Sequence, residues 1–420
     1  MIRTRGLYWV GLMAGMCTLL LGACATRPAT PQSTAAPVAP PTPSLQLRAF
    51  EALWSAVNEN YLYEDFGGVD WQAVREEYRA KVDAGLSADA FADLVRAMLA
   101  ELPEGAASWQ TRAERIEAES TDTASYEGIG AFVAFRAEPQ PRVVLLAVMP
   151  DSPAEKAGLA AHDSILAVDG VAVKLEEGQG VVTRIRGPAG SDVTLRVRSP
   201  GKSARDVVVT RGGLSAVDTL KVGATSDGAI GYLLFPATSS DTLAEEVRRS
   251  VQALNEAREL DGLILDLRIA STGGGWPLAE MLALFGDGDL GEVYTRTTTE
   301  TLAIEGQNFF NSQSVPLAII VGPDTDGAPE IFTAAMQAIE RARVVGLPTP
   351  GLVEAVNEFP MPDGSLALIT TSSYRTPKGR DIGRDGVEPN VPVKVDWDAV
   401  TTTNDPVRDA AAQALERLAR

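Results

Sequence analysis

Leu263-Ile264-Leu265-Asp266-Leu267 and Pro316 to Val321 are short, nearly uninterrupted apolar runs with the length of strands rather than helices. A strand apolar on both sides must be covered on both sides, and strands that alternate with helices are joined by crossovers. The runs therefore predict an α/β sheet with parallel strands and its functional loops at the strand C-terminal ends. Ile230 to Phe235 adds a further strand, and Asp241 is placed to cap a helix whose Leu243, Val247, Val251 and Leu254 share one face. At 420 residues and 45% hydrophobic content, the chain can bury a sizeable core and should hold two or three domains.

Upstream the pattern changes twice. Phe50, Leu53, Trp54, Val57 and Tyr61 recur at helical spacing, and Ser87-Ala88-Asp89-Ala90 leads a second amphipathic segment through Phe91, Leu94, Val95, Met98 and Leu99, so residues 46–122 predict a small helical domain. Residues 123–213 read instead as short alternating strands with glycine turns, such as Val143 to Val148 and Val193 to Val197, interrupted by a single short helix. That helix carries Ser152 as N-cap, Pro153 at its first position and Gly158 as its stop. Asp169-Gly170 is a hairpin turn. The α/β unit then occupies residues 214–400, with Met361 to Leu366 as a hairpin turn and a terminal helix in residues 401–420.

Residues 1–24 hold Arg3 and Arg5, an apolar run from Gly6 to Gly22, and Leu21-Gly22-Ala23-Cys24, a match to a bacterial lipobox. Cleavage before Cys24 would leave a lipidated cysteine, and residues 25–45, rich in Pro, Ala, Thr and Ser, would tether the body to the membrane. The expected location is the exported side of a bacterial envelope, with Ala25 after the cysteine favouring the outer membrane. The other cysteine, Cys17, is inside the signal, so the exported body has no thiol for a disulfide, a metal site or a nucleophile. The single histidine, His162, sits in what reads as a solvated turn, which removes Ser-His-Asp and Cys-His mechanisms. A net charge of −19 and a pI near 4.6, with no basic patch, argue against nucleic acid as a partner. No metal or cofactor is expected.

Gly128-Ile129-Gly130, the Ser152 helix and the Asp169-Gly170 turn together resemble a PDZ domain, whose glycine loop receives a terminal carboxylate while the peptide adds as a strand. Gly128, Ile129, Gly130, Phe132, Val133 and the helix face around Ala157 are then the candidate peptide-binding residues. Asp266 to Gly275 resembles the segment that the C-terminal processing, or tail-specific, serine proteases write as DLRNNPGG, and Gly322 to Phe332 resembles their nucleophile elbow SASASEIF, with register set by Glu330-Ile331-Phe332. Arg343 to Val353 resembles their lysine segment RALVVGEPTFGKG, and Gly383 to Pro392 their closing GKGIxPDxxV. The order of these segments from Gln46 to Asp396 is that of the family, and implies a helical domain, a PDZ domain and a crotonase-like α/β protease core.

The resemblance fails at the reacting centre. The family's nucleophilic serine falls on Gly327, its lysine base on Leu352, and the glutamine that orients the lysine on Val356. Amides of Gly273, Gly274 and Ala328 would form an oxyanion-like loop with no nucleophile beside it. A glycine and a leucine neither attack a carbonyl nor accept a proton. The expectation is a non-catalytic pseudoprotease that binds protein C-termini or a partner protein. Two alternatives stand beside it: an active serine peptidase whose nucleophile has moved to Ser271, Thr325, Ser372 or Ser373, with Lys378 as base and Thr349 the hydroxyl nearest the lysine motif, and a carrier of a small apolar ligand held around Leu352 and Val356.

Overall fold

A computed structural model of the chain describes residues 43–116, 127–213, 218–225, 227–272, 275–383, 385–401 and 403–418. The lipobox with Cys24, and the glycines Gly273 and Gly274, lie outside the described residues.

Four strands, Ile230–Leu234, Gly262–Asp266, Leu317–Val321 and Ala342–Gly346, run parallel and in sequence order through the main sheet. Lys221–Ala224 closes one edge antiparallel and Val391–Pro392 the other in parallel. The continuous apolar runs are explained by what lies on each side. Leu263, Leu265, Leu317 and Ile319 face the helices Leu243–Ala257, Leu278–Phe285 and Ala328–Ala338, while Ile264, Ala318 and Ile320 face Val407, Ala411 and Leu415 of the final helix Pro406–Leu418. Leu243–Ala257 begins one residue later than its capping pattern predicts: Thr242 is the N-cap and its hydroxyl bonds Glu246 at 2.6 Å, so Asp241 does not cap.

The N-terminal helices Pro43–Asn60, Trp71–Asp83 and Ala88–Leu99 pack around Phe50, Leu53, Val57, Val95 and Met98. Two of them start where a side chain takes up a free amide: Asp70 accepts from Ala73 N at 2.9 Å and Ser87 from Ala90 N at 3.2 Å. Residues 107–110, expected to be helical, form a strand that joins a five-stranded antiparallel sheet with Leu366–Arg375, Ala355–Pro360, Gly288–Thr295 and Thr299–Ile304. Trp109, Ala367 and Ile369 of that sheet share the helices' core.

Residues 127–213 fold into a separate antiparallel sheet with its own core of Ile129, Val143, Leu145, Ile165, Leu195 and Val209. Alternation along its strands turns a second face outward, and Ala134, Val144 and Leu146 pack there against Ala237, Ile269 and Trp397 of the α/β unit. The polar groups at this seam are paired. Trp397 Nε1 donates to Leu145 O at 3.1 Å, Ser164 Oγ to Asp398 at 2.6 Å, and the buried Arg142 guanidinium to both Asp398 oxygens. His162 belongs to the seam as well: its Nδ1 lies 2.8 Å from Trp397 O and its ring centroid 4.2 Å from that of Trp397. The solvated turn expected there is half-buried, because a tryptophan 235 residues away in sequence stacks on it.

Candidate functional site

The loops after two neighbouring parallel strands, Gly262–Asp266 and Leu317–Val321, meet at one point. The first is fixed by a buried ion network: Asp266 accepts from Arg268 and from Tyr232 OH at 2.7 Å, and Arg268 also holds Asp405. Burial opposes the Arg268 charge, but the two carboxylates outweigh it and hold its pKa above the usual value. Beyond it the loops are stitched together. Thr325 Oγ1 donates to Leu267 O at 2.8 Å and accepts from Gly322 N at 3.0 Å, and Asp326 N donates to Ala270 O at 3.1 Å.

Gly327 stands at the join of loop and helix, as the elbow pattern predicts, with φ 66° and ψ −120°, a conformation that favours glycine. Ala328 begins the helix, and its amide donates at 2.7 Å to Thr272 Oγ1. Below them lies Glu330, fully buried. Its carboxylate accepts from Gly327 N at 3.0 Å, Leu352 N at 2.8 Å, Gly351 N at 2.7 Å and Thr349 Oγ1 at 2.5 Å. Burial pushes the Glu330 carboxyl above its usual range, against the pull of those four donors. Burial also raises the carboxyls of Asp324 and Asp326, with Arg136 opposing the shift at Asp324. Residues 327 and 352 are thus brought to the same carboxylate, through main-chain amides only.

Neither residue offers a reacting side chain. Gly327 has none, and the Leu352 side chain projects outward, 63% exposed, beside Val356 at 53%. Those exposures leave no dry cavity around the two side chains, so the apolar-carrier alternative has no pocket at the place expected of it.

Three of the hydroxyls considered as relocated nucleophiles have hydrogen-bond partners. Thr325 is buried in the loop stitch described above, Ser271 Oγ donates to Ala237 O at 2.9 Å, and Thr349 Oγ1 is spent on Glu330. Ser372 and Ser373 sit within the Leu366–Arg375 strand, opposite Thr295 and Tyr294. Lys378, the proposed base, reaches Glu340 at 3.3 Å and is 63% exposed. Among the described residues, no group of three or more His, Cys, Asp or Glu is arranged to hold a metal ion, and no helix is long and apolar enough to cross a membrane.

The second feature is a cleft of about 600 Å³ on the sheet of residues 127–213, lined by Ala131, Phe132, Val133, Met149, Gln179 and Val182 among others. The strand Ala131–Arg136 ends its sheet, paired only with Arg142–Val148, so one edge is open. Gly128, Ile129 and Gly130 lead into it, with Gly130 at φ 79°, Ile129 O accepting from Ala154 N at 2.7 Å and Gly130 O from Met149 N at 3.0 Å. The opposite wall is a segment that sequence reasoning missed: a 3-10 turn Leu175–Val181 running into the short helix Val182–Ile185. Ala157, assigned to this wall from sequence, is on the other helix and packs against the sheet's core instead. Gly178 and Gly180 interrupt the wall segment, and no 3.6-residue apolar repeat marks it.

A parallel sheet with a strand-to-helix elbow, tied to a second sheet that presents an open strand edge, is the architecture expected of the PDZ-bearing processing proteases. Comparison with known proteins agrees. The signature of peptidase family S41 matches residues 229–393, that of a PDZ domain residues 144–199, and that of the tricorn protease C1 domain residues 47–100. The chloroplastic C-terminal processing peptidase of Tetradesmus obliquus is 31% identical over 83% of this chain and 77% of its own length. The carboxyl-terminal-processing protease of Synechocystis sp. is 29% identical over 86% and 85%. Among solved structures, a photosystem II D1 C-terminal processing protease superposes with a TM-score of 0.63 at 27% identity, covering 83% of this chain and 93% of the other. The chain belongs to the C-terminal processing serine protease family, peptidase family S41.

Proposed function

We propose that this chain is a catalytically silent, lipid-anchored member of its family, which captures protein C-termini in the PDZ cleft on the exported side of a bacterial envelope. The observation that carries the silent centre is that Gly327 and Leu352 meet Glu330 through backbone amides alone, and neither residue supplies a hydroxyl or an amine. Acyl transfer requires an attacking oxygen and a proton acceptor, and loss of the nucleophile from such a unit costs roughly a millionfold in turnover.

Binding is supported by the open edge of Ala131–Arg136 facing Val182, Gln179, Thr183 and Arg186 across a cleft whose floor holds Phe132, Val133 and Met149. A peptide entering as an added strand pairs its main chain with that edge, and its terminal carboxylate reaches the glycine loop at Gly128 to Gly130. The lipobox at Leu21 to Cys24 and the Pro-rich tether support the anchor. The test uses a peptide ending in a free carboxylate and the same peptide ending in an amide. The carboxylate form binds at least about tenfold tighter, since an amide forfeits a charge-assisted bond. Equal affinity for the two overturns capture of chain ends.

A further inference from the structure

The place of a side chain at residue 327 is already taken. An ideal Cβ built on Gly327 falls 1.9 Å from Thr272 Oγ1 and 3.0 Å from Thr272 Cβ, well inside van der Waals contact. The same hydroxyl occupies the Ala328 amide at 2.7 Å, the donor that would face an oxyanion at an elbow of this kind. Thr272 is held there from its own backbone: its N–H donates to Asp326 Oδ1 at 3.3 Å, Asp326 N returns to Ala270 O at 3.1 Å, and Ser271 Oγ is tied to Ala237 O at 2.9 Å. A β-branched side chain has few rotamers with which to leave.

We propose that Thr272 is an internal ligand of the centre: its hydroxyl fills the space vacated at residue 327, satisfies the Ala328 amide and shuts this point to carbonyl and carboxylate oxygens. Capture of a chain end is thereby confined to the PDZ cleft, and a serine restored at residue 327 collides with Thr272 before it meets a substrate. The inference rests on the centre being silent, but its test does not: a fluorophosphonate label on the wild-type protein would remove the first reading and leave the following cycle intact.

The test is a double-mutant cycle on the full chain by equilibrium denaturation, with Gly327→Ala, Thr272→Gly and the pair. Backbone strain at φ 66° is common to both arms and cancels. The unfolding constant rises on Gly327→Ala by at least about threefold more with Thr272 present than in the Thr272→Gly background. An equal rise in both backgrounds overturns the proposal. Should Gly327→Ala alone fail to fold, amide exchange is measured in Thr272→Val with Gly327 intact. Exchange at Ala328 speeds up by about tenfold once its acceptor is gone, and an unchanged rate overturns the proposal.

Discussion

The Leu352 amide donates to the Glu330 carboxylate at 2.8 Å, and the same carboxylate oxygen accepts from Gly327 N at 3.0 Å. One buried acid thus fastens together two loops 25 residues apart in sequence, counting from 327 to 352. A geometry that elsewhere would hold reacting side chains is maintained here by a buried carboxylate, and residues 327 and 352 contribute only their amides. Glu330→Gln places an N–H2 group among four donors and leaves at least one of them unpaired. The variant loses about 2–4 kcal/mol of stability by denaturant titration, while a loss under about 0.5 kcal/mol would show the bonds to be dispensable.

Trp397 joins the PDZ sheet to the α/β unit through its ring and its Nε1, and only 8% of it is exposed. Trp397→Ala opens a cavity at the seam and costs about 3–5 kcal/mol. Because the PDZ sheet has its own core, calorimetry then resolves two transitions where the wild type shows more nearly one. An unchanged thermogram would contradict the seam's role.

His162 gives the seam a dependence on acidity. Burial, the largest influence, lowers its pKa below the usual 6.5; Arg268 adds to the shift, while Trp397 O, Asp405 and Asp266 oppose it. Above 6.5 the ring is neutral folded and unfolded, and the pairing costs nothing. As the pH falls below 6.5 the unfolded chain takes up a proton that the folded chain resists, so stability is lost down to the lowered folded value. His162→Gln flattens that part of the stability profile as the pH falls through and below 6.5, and an identical slope in both proteins would contradict the assignment.

Val182 is on the wall that faces the open strand edge. Val182→Asp sets a carboxylate against the apolar side chains and the carboxylate of an entering peptide. Affinity falls by about tenfold or more with the fold intact by circular dichroism. Unchanged affinity would place the peptide elsewhere.

On the proposed lipid anchor, Cys24→Ala removes the thiol that would accept the lipid. Metabolic labelling with an alkyne fatty acid marks the wild type and not the variant, which moves from the membrane to the soluble fraction. Label that survives the substitution would contradict the lipobox assignment.

The sheet was legible because its strands are apolar on both faces: Leu263 and Leu265 meet one layer of helices, Ile264 the other. Gly327 was legible because its conformation excludes most side chains and Glu330-Ile331-Phe332 fixes its register. What escaped depends on contacts remote in sequence. His162 looked solvated because nothing local announces Trp397, and Glu330 served as a register mark while its four donors come from Gly327, Thr349, Gly351 and Leu352. The PDZ wall at Leu175 to Ile185 escaped for a local reason, since Gly178 and Gly180 break the helical period. Thr272 carries no motif signal of its own; only the Cβ position of Gly327 shows what it does.

Chemistry at the centre is decided by one incubation: purified protein with an unstructured tail and a fluorophosphonate probe, followed by mass spectrometry of both. The tail stays intact and no hydroxyl is labelled, because Gly327 and Leu352 bring neither nucleophile nor base. A single labelled serine or threonine whose removal also ends trimming of the tail would contradict the account.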